Sequence, residues 1–167
     1  MSEEGWPEDY DFKLEFRVRG ALINKHLTIA LAESCTGGLL ASMLTDLPGA
    51  SEYFLASYVT YSNGTKVAAL GVPWSSIHNH GAVSEEVARG MATGARKAAG
   101  ADIGVGITGI AGPGGGSEEK PVGLVYIALD MMGEVSVVRE VFPGDRMQVK
   151  IAASVRALEI LDRALSG

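Results

Sequence analysis

The sequence predicts an α/β fold, a three-layer α/β/α sandwich around a mixed, mostly parallel sheet. Three observations carry this. Short apolar or β-branched runs alternate with stretches whose apolar residues recur every three to four positions. Glycine-centred breaks separate them, at Pro48-Gly49, Gly71 and Gly100. Two runs near the C-terminus, residues 122–130 and 135–141, are linked by residues 131–134 alone, so they form a hairpin and force one antiparallel strand into the sheet.

The elements follow in order. Residues 1–11 form an acidic N-terminal tail (Glu3, Glu4, Glu8, Asp9, Asp11), and residues 12–167 form a single domain. Asp11 is an N-cap for a helix from Lys13 to His26, with Leu14, Val18, Ala21 and Leu22 on its apolar face. The run 27–32, LTIALA, suits a buried strand. Glu33 to Gly38 is a tight turn into a helix over LLASMLTDL, which Pro48-Gly49 breaks. Aromatic and β-branched residues make most of 53–62 a strand. Asn63-Gly64 is a turn or cap, Thr65–Leu70 a short helix ended by Gly71, and 73–78 a further helical turn. Ser84 caps a helix to Ala99, with Glu85 and Glu86 in its first turn, Arg96 and Lys97 in its last, and Gly100 as stop. A buried strand over 102–108 leads into the Gly-rich segment 109–121 and the hairpin. Asp145 then caps a helix to Leu165 through a D-x-x-Q box with Gln148.

Composition excludes several functions. A chain of 167 residues, 47% apolar and 20% charged, suits one globular domain rather than a disordered segment. A net charge of −6 offers no basic footprint for a nucleic acid partner. The longest charge-free run, 67–84, contains Pro73, Asn79, His80 and Gly81 and cannot be a membrane span. The acidic start is the reverse of a signal peptide, and a single cysteine, Cys35, allows no internal disulfide. The expected address is cytoplasmic. Glycine is the anomaly: 22 copies, about 13% of the chain against a usual ~7%, with five between Gly109 and Gly116.

Some motifs mislead. Gly104-Val-Gly106-Ile-Thr-Gly109 matches a dinucleotide fingerprint, with Asp130 near the place of the ribose-binding acid. The first two glycines lie inside a strand, however, and the third leads into Pro113 and more glycine instead of a helix. Ser117-Glu-Glu-Lys120 matches S-x-x-K, but the flanking glycines and Pro121 prevent the helical turn that would bring lysine onto serine. His78 and His80 lack an evident third metal ligand, and there is no Walker loop.

The segment Glu33-Ser34-Cys35-Thr36-Gly37-Gly38 carries the chemistry. The C-terminal end of a strand meeting a helix N-terminus is where open α/β sheets bind ligands. Free N–H groups there can hold an anion or an oxyanion. Serine or cysteine in that turn could attack a carbonyl; equally, Ser34 or Thr36 could serve only as an N-cap.

The segments ESCTGGLLA (33–41), VTYSN (59–63), Lys66, HGAVSEEVA (80–88), GITGIAGPGGGSEEKPVG (106–123) and FPGDR (142–146) together resemble the CinA C-terminal domain family, known for nicotinamide-nucleotide amidases. The resemblance spans about residues 14–166 in compatible order and spacing. It implies a five-stranded mixed sheet and a hydrolase that converts nicotinamide mononucleotide and water to nicotinate mononucleotide and ammonia. Some members carry an additional N-terminal molybdopterin-binding-like domain. This chain has no room for one, so the stand-alone form is expected, without any activity of that domain.

The resemblance also implies roles. Ser34 matches the nucleophile, and Tyr61 and Lys66 the other catalytic positions, with the choice of direct base between them open. A lysine base must be neutral near pH 7, which burial could achieve. Arg146 is unusual at a helix start, where a cation is disfavoured unless it helps hold an anion. Arg146, Thr108 and Gly109 are assigned to the phosphate or ribose, Gly37 and Gly38 to close backbone approach at the carbonyl, and Thr36 to substrate binding. The expected partner is a small-molecule nucleotide, with no nucleic acid, no membrane, and a homo-oligomer allowed. Two competing readings are a non-catalytic nucleotide-binding or regulatory module and a thiol amidase using Cys35. No cofactor or metal is expected, so activity should survive exhaustive EDTA treatment. Loss on chelation with recovery on adding zinc or magnesium would return His78 and His80 to the site.

Overall fold

The computed structural model describes residue 11 and residues 13–167. The predicted tail over 1–11 therefore lies outside the described residues except for Asp11. The elements are α1 (Leu14–Asn24), β1 (Ile29–Glu33), α2 (Leu39–Thr45), a 3-10 turn (Ala50–Glu52), β2 (Phe54–Val59), α3 (Asn63–Leu70), α4 (Trp74–His80), α5 (Glu85–Ala99), β3 (Ile103–Gly109), β4 (Leu124–Met131), β5 (Glu134–Val141) and α6 (Arg146–Ser166).

The strands form one sheet in the order β2-β1-β3-β4-β5. β1 pairs in parallel with both β2 and β3, and β4 runs antiparallel to β3 and β5. Four strands thus point one way and β4 alone opposes them, as the hairpin requires.

The two faces of the sheet differ in what they bury. Ile29, Leu31, Ile103, Val105, Ile107, Val125 and Ile127 pack on α1, α2 and α6. The alternate residues Ala30, Ala32 and Ala128 face α5 and its neighbours. Alternation along a strand makes this division possible. Small residues let α5 approach closely. A Cβ on Gly104 would sit 2.1 Å from the Ala92 carbonyl oxygen, and one on Gly106 2.4 Å from that of Ala88. The apparent dinucleotide fingerprint is therefore a helix–sheet contact. Its acid, Asp130, is buried and receives Thr93 Oγ1 at 2.8 Å, the Gly133 N–H at 2.8 Å and an ion pair from Arg96 Nε at 2.9 Å. Burial opposes its charge, yet these partners outweigh burial and hold its pKa below the usual carboxylate range.

Boundaries depart from expectation in instructive places. Asp11 is not the N-cap of α1; Lys13 is, and the Asp11 carboxylate accepts the Lys13 N–H at 2.9 Å. Asn63-Gly64 is not a turn but the first turn of α3, because Ser62 takes the capping role and accepts the Thr65 N–H at 3.2 Å. Strand β2 stops at Val59, since Thr60 turns to give its carbonyl to a side chain. The Asp145–Gln148 box forms as expected, with bonds of 2.8 and 2.9 Å.

The close approach of α5 predicts opposite outcomes for two glycines. A Cβ on Gly94 would meet the Leu70 carbonyl oxygen at 2.1 Å, whereas nothing lies within 4 Å of one on Gly20 in α1. Gly94→Ala should destabilise by at least ~1–3 kcal/mol, and Gly20→Ala should stabilise by ~0.5–1 kcal/mol. Thermal unfolding checks both, at about 2–4 °C per kcal/mol for a domain of this size. Equal effects would mean that α5 is not held this close.

Candidate active site

The cleft forms beyond the C-terminal ends of β1 and β3, where the chain leaves the sheet. Ser34 follows β1 directly and extends its pairing by one bond, N–H to the Ile107 carbonyl at 3.0 Å. The next residues turn sharply into α2, with Gly37 and Gly38 at φ of 64° and 95°. Glu33 fixes that turn from inside. Its buried carboxylate accepts Thr36 Oγ1 at 2.7 Å and the N–H groups of Gly38, Leu40 and Ala41 at 3.0, 3.2 and 2.9 Å. An anion at a helix N-terminus satisfies donors that would otherwise be orphaned.

This arrangement corrects part of the expected site. The first-turn amides of α2 are not free for a substrate, because Glu33 occupies them and the Gly37 N–H bonds the Ser34 carbonyl at 3.1 Å. Thr36 is fully buried and donates to Glu33. Thr36, Gly37 and Gly38 shape the turn and do not line the cleft.

The structure brings Ser34, Tyr61, Lys66, Thr108, Gly109 and Arg146 together around a cleft of about 280 Å³. Lys66 reaches it from the first turn of α3 and is 1% exposed. Its Nζ lies 3.1 Å from Ser34 Oγ and donates to the Thr60 carbonyl at 2.7 Å. Burial lowers its pKa from the ordinary lysine value, a change opposed only by the Cys35 sulfur nearby. A neutral Lys66 amine can keep one N–H on Thr60 while its lone pair accepts the Ser34 hydroxyl proton.

Arg146, the first residue of α6, donates from Nη1 to the Gly112 carbonyl at 2.9 Å and from Nη2 to Tyr61 Oη at 2.5 Å. No carboxylate among the described residues pairs with it, so its charge is available to an anion in the cleft. Tyr61 is 59% exposed and bonds Arg146, not Ser34 or Lys66. Thr108 is buried and its hydroxyl donates to the Ala82 carbonyl at 2.8 Å. Gly109 is required for packing: a Cβ there would lie 2.7 Å from the Leu124 oxygen and 3.0 Å from Cys35 Sγ.

The chain belongs to the CinA C-terminal domain family. That family matches residues 11–165. A competence-damage inducible protein of Moorella thermoacetica is 56% identical over 155 residues, 93% of this chain and 37% of the relative. A CinA-like protein of Citrifermentans bemidjiense is 51% identical over 158 residues, 95% of this chain and 37% of the relative. The chain thus spans little more than a third of the length of these relatives. Among solved structures, the competence/damage inducible protein CihA from Agrobacterium tumefaciens has a TM-score of 0.89 at 40% identity, covering 93% of this chain and 94% of that one. The competence damage-inducible protein A from Klebsiella pneumoniae has a TM-score of 0.90 at 35% identity, covering 92% and 96%. The α/β sandwich is therefore the family's fold.

Other cleft and near-cleft residues were given no role in the sequence reading. Ala82 and Val83 line the cleft from the connection between α4 and α5. Lys150 stands one turn beyond Arg146 on α6, and its Nζ would be 3.6 Å from a Cβ on Gly37, which adds a second cation near the turn. Its i+4 spacing from Arg146 was the available clue. Ser117 and Lys120 form a turn, Ser117 N–H to the Lys120 carbonyl at 2.8 Å, and the Lys120 ammonium points elsewhere. His80 Nδ1 faces Glu86 at 3.5 Å. No described helix is long and apolar enough to cross a membrane.

Cys35 lines the cleft beside Ser34, but its thiol differs from a reactive one. Burial pushes its pKa up to about 12, outweighing the nearby cations Lys66 and Arg146. At pH 8 the folded chain should react with iodoacetamide roughly two to three orders of magnitude more slowly than the unfolded chain. Comparable rates would mean an available thiolate and would restore Cys35 as a nucleophile.

Proposed function

We propose that this domain is a serine amidase that hydrolyses the carboxamide of nicotinamide mononucleotide to nicotinate mononucleotide and ammonia. The observation that carries the chemistry is the buried Lys66 amine 3.1 Å from Ser34 Oγ in a cleft also lined by Arg146, with which no carboxylate among the described residues pairs. The resemblance of the motif-bearing segments to nicotinamide-nucleotide amidases supplies the substrate.

A free serine hydroxyl is a weak nucleophile and needs a base within hydrogen-bond reach. Lys66 is that base. It takes the Ser34 proton as Oγ attacks the carboxamide carbon, then returns a proton to the departing nitrogen. Ammonia leaves and an ester to Ser34 remains. Water, deprotonated by the same amine, attacks the ester; that proton passes to Ser34 Oγ as it leaves, and the acid formed is released and ionises to the carboxylate. Negative charge on the substrate oxygen needs preorganised donors. The Cys35 N–H stands next to the nucleophile and meets no acceptor on another described residue, so it is assigned the oxyanion. Arg146 takes the phosphate, since a guanidinium can bind it in a bidentate manner. Tyr61 holds that guanidinium in place. No group of the cleft requires a metal for these steps.

The experiment is to incubate the purified domain with nicotinamide mononucleotide and measure ammonia and nicotinate mononucleotide. Ser34→Ala should lower turnover by several orders of magnitude and leave substrate binding, whereas Cys35→Ala should keep most activity. The reverse pattern would mean a thiol amidase, and binding without product in the wild type a non-catalytic module. Losing a charge-assisted contact costs ~1.5–3 kcal/mol, so Arg146→Ala should reduce kcat/KM for the mononucleotide by about 10–150-fold. It should leave the low rate on nicotinamide riboside, which has no phosphate, nearly unchanged. The lowered pKa of Lys66 sets the pH dependence. The amine is the active form, so kcat/KM should rise with pH through one ionisation lying below the ordinary ~10.4 of lysine. Lys66→Arg, which stays charged, should be inactive at every pH.

A further inference from the structure

One wall of the cleft hangs from side chains. The four carbonyls of residues 80–83 each accept a side-chain hydrogen bond. Lys120 Nζ donates to the His80 carbonyl at 2.5 Å and to that of Val83 at 2.8 Å. Ser84 Oγ donates to the Gly81 carbonyl at 2.9 Å, and Thr108 Oγ1 to that of Ala82 at 2.8 Å. Ala82 and Val83 face the cleft. A second wall is the Gly-rich loop after β3, which contributes Ile110, Ala111 and Gly112. Lys120 lies at the end of that loop, and its backbone is locked into a turn by the Ser117 hydroxyl, which accepts its N–H at 3.1 Å.

A single ammonium therefore ties both walls together. Gly81 leaves it the space: a Cβ there would lie 3.0 Å from Lys120 Nζ, and the residue sits at φ 78°. We propose that Lys120 is a positioning residue, a clasp that sets the width of the cleft by joining the Gly-rich loop to residues 80–83, and so sets how tightly substrate is held. A compact ammonium suits this task, because its three N–H groups lie on one small atom and can reach two carbonyls that are close together. The kinetic part of the proposal rests on the amidase reading above, and the structural part does not.

The test compares wild type with Lys120→Met and with Lys120→Cys, the latter also after alkylation by 2-bromoethylamine to rebuild an ammonium or by iodoacetamide to leave a neutral amide. Buried Cys35 is the control thiol, monitored in the wild type. Amide hydrogen exchange reports the clasp. Lys120→Met should speed exchange in residues 80–83 and in 110–116 together and leave α1 and α6 unchanged. Kinetics on nicotinamide mononucleotide report its use. KM should rise by about tenfold with kcat altered far less, the mark of lost uniform binding. Aminoethylation should restore both measurements, and the neutral adduct neither. Unchanged exchange, or faster exchange in one segment alone, would overturn the clasp. Equal losses in kcat and kcat/KM that aminoethylation fails to restore would overturn its role in holding substrate. If the wild type released no ammonia from the mononucleotide, the amidase reading would fail while the exchange data still decided the clasp.

Discussion

A carboxylate without water around it must be satisfied by dipoles, and the cleft is organised around the way Glu33 meets that demand. Three backbone N–H groups at the start of α2 and the Thr36 hydroxyl converge on it, with no ion-pair partner among the described residues. Leaving such a buried charge partly unsatisfied would be costly, so the turn has little freedom. Ser34 is the residue between this cap and the end of β1. Its backbone is held on one side by Ile107 and on the other by Gly37. The hydroxyl is thereby presented from a rigid element, which is what a nucleophile needs to meet a substrate in one geometry.

The same cap leaves the amides at the start of α2 unavailable to the anion of the proposed substrate. A helix N-terminus can serve one anion, and here it serves an internal one. Positive charge for a ligand has to come from elsewhere, and α6 supplies it through Arg146 and, one turn on, Lys150. Arg146 pairs with a carbonyl and a phenol, neutral acceptors that orient a guanidinium without cancelling its charge. In a chain with net charge −6, an arginine left unneutralised at a cleft mouth is a local field distinct from that of the rest of the molecule.

The fold was largely legible in the sequence because its signals are local. Alternation of apolar runs, the Ser84 and Asp145 caps and the hairpin act over a few residues and appear as expected, except that the hairpin link is residues 132–133, because Met131 and Glu134 pair within the strands. The first turn of α3 was misplaced because Asn63-Gly64 has strong turn chemistry, and the competing Ser62 cap prevailed. The site was legible in part. Arg146 stands out by its place at a helix start, Ser34 by its turn together with the resemblance, and Lys66 through the resemblance alone. The roles of Thr36, Gly37 and Gly38 were not, since nothing local reveals that Glu33 turns inward and claims the amides after it. Ala82, Val83 and Lys120 depend on contacts 26 to 40 residues apart in the chain, across which no sequence periodicity extends.

Lys66 shows how the site draws on the stability of the fold. Burying an amine in the core of a cleft disfavours its charged form, and no carboxylate among the described residues offsets this. The folded state therefore holds its proton less tightly than the unfolded chain does. Between the two pKa values the unfolded state binds more protons, so stability rises with pH across that window and the burial cost is fully present below it. A methionine of similar length would avoid this cost but could not accept a proton from Ser34. The bond to the Thr60 carbonyl fits the same logic: it fixes the amine in both protonation states and favours neither through charge pairing. A carboxylate in that place would have favoured the charged form of Lys66 and worked against the role proposed for it. The region around Ser34 thus combines a carboxylate surrounded by amide donors with an amine whose charged form burial disfavours.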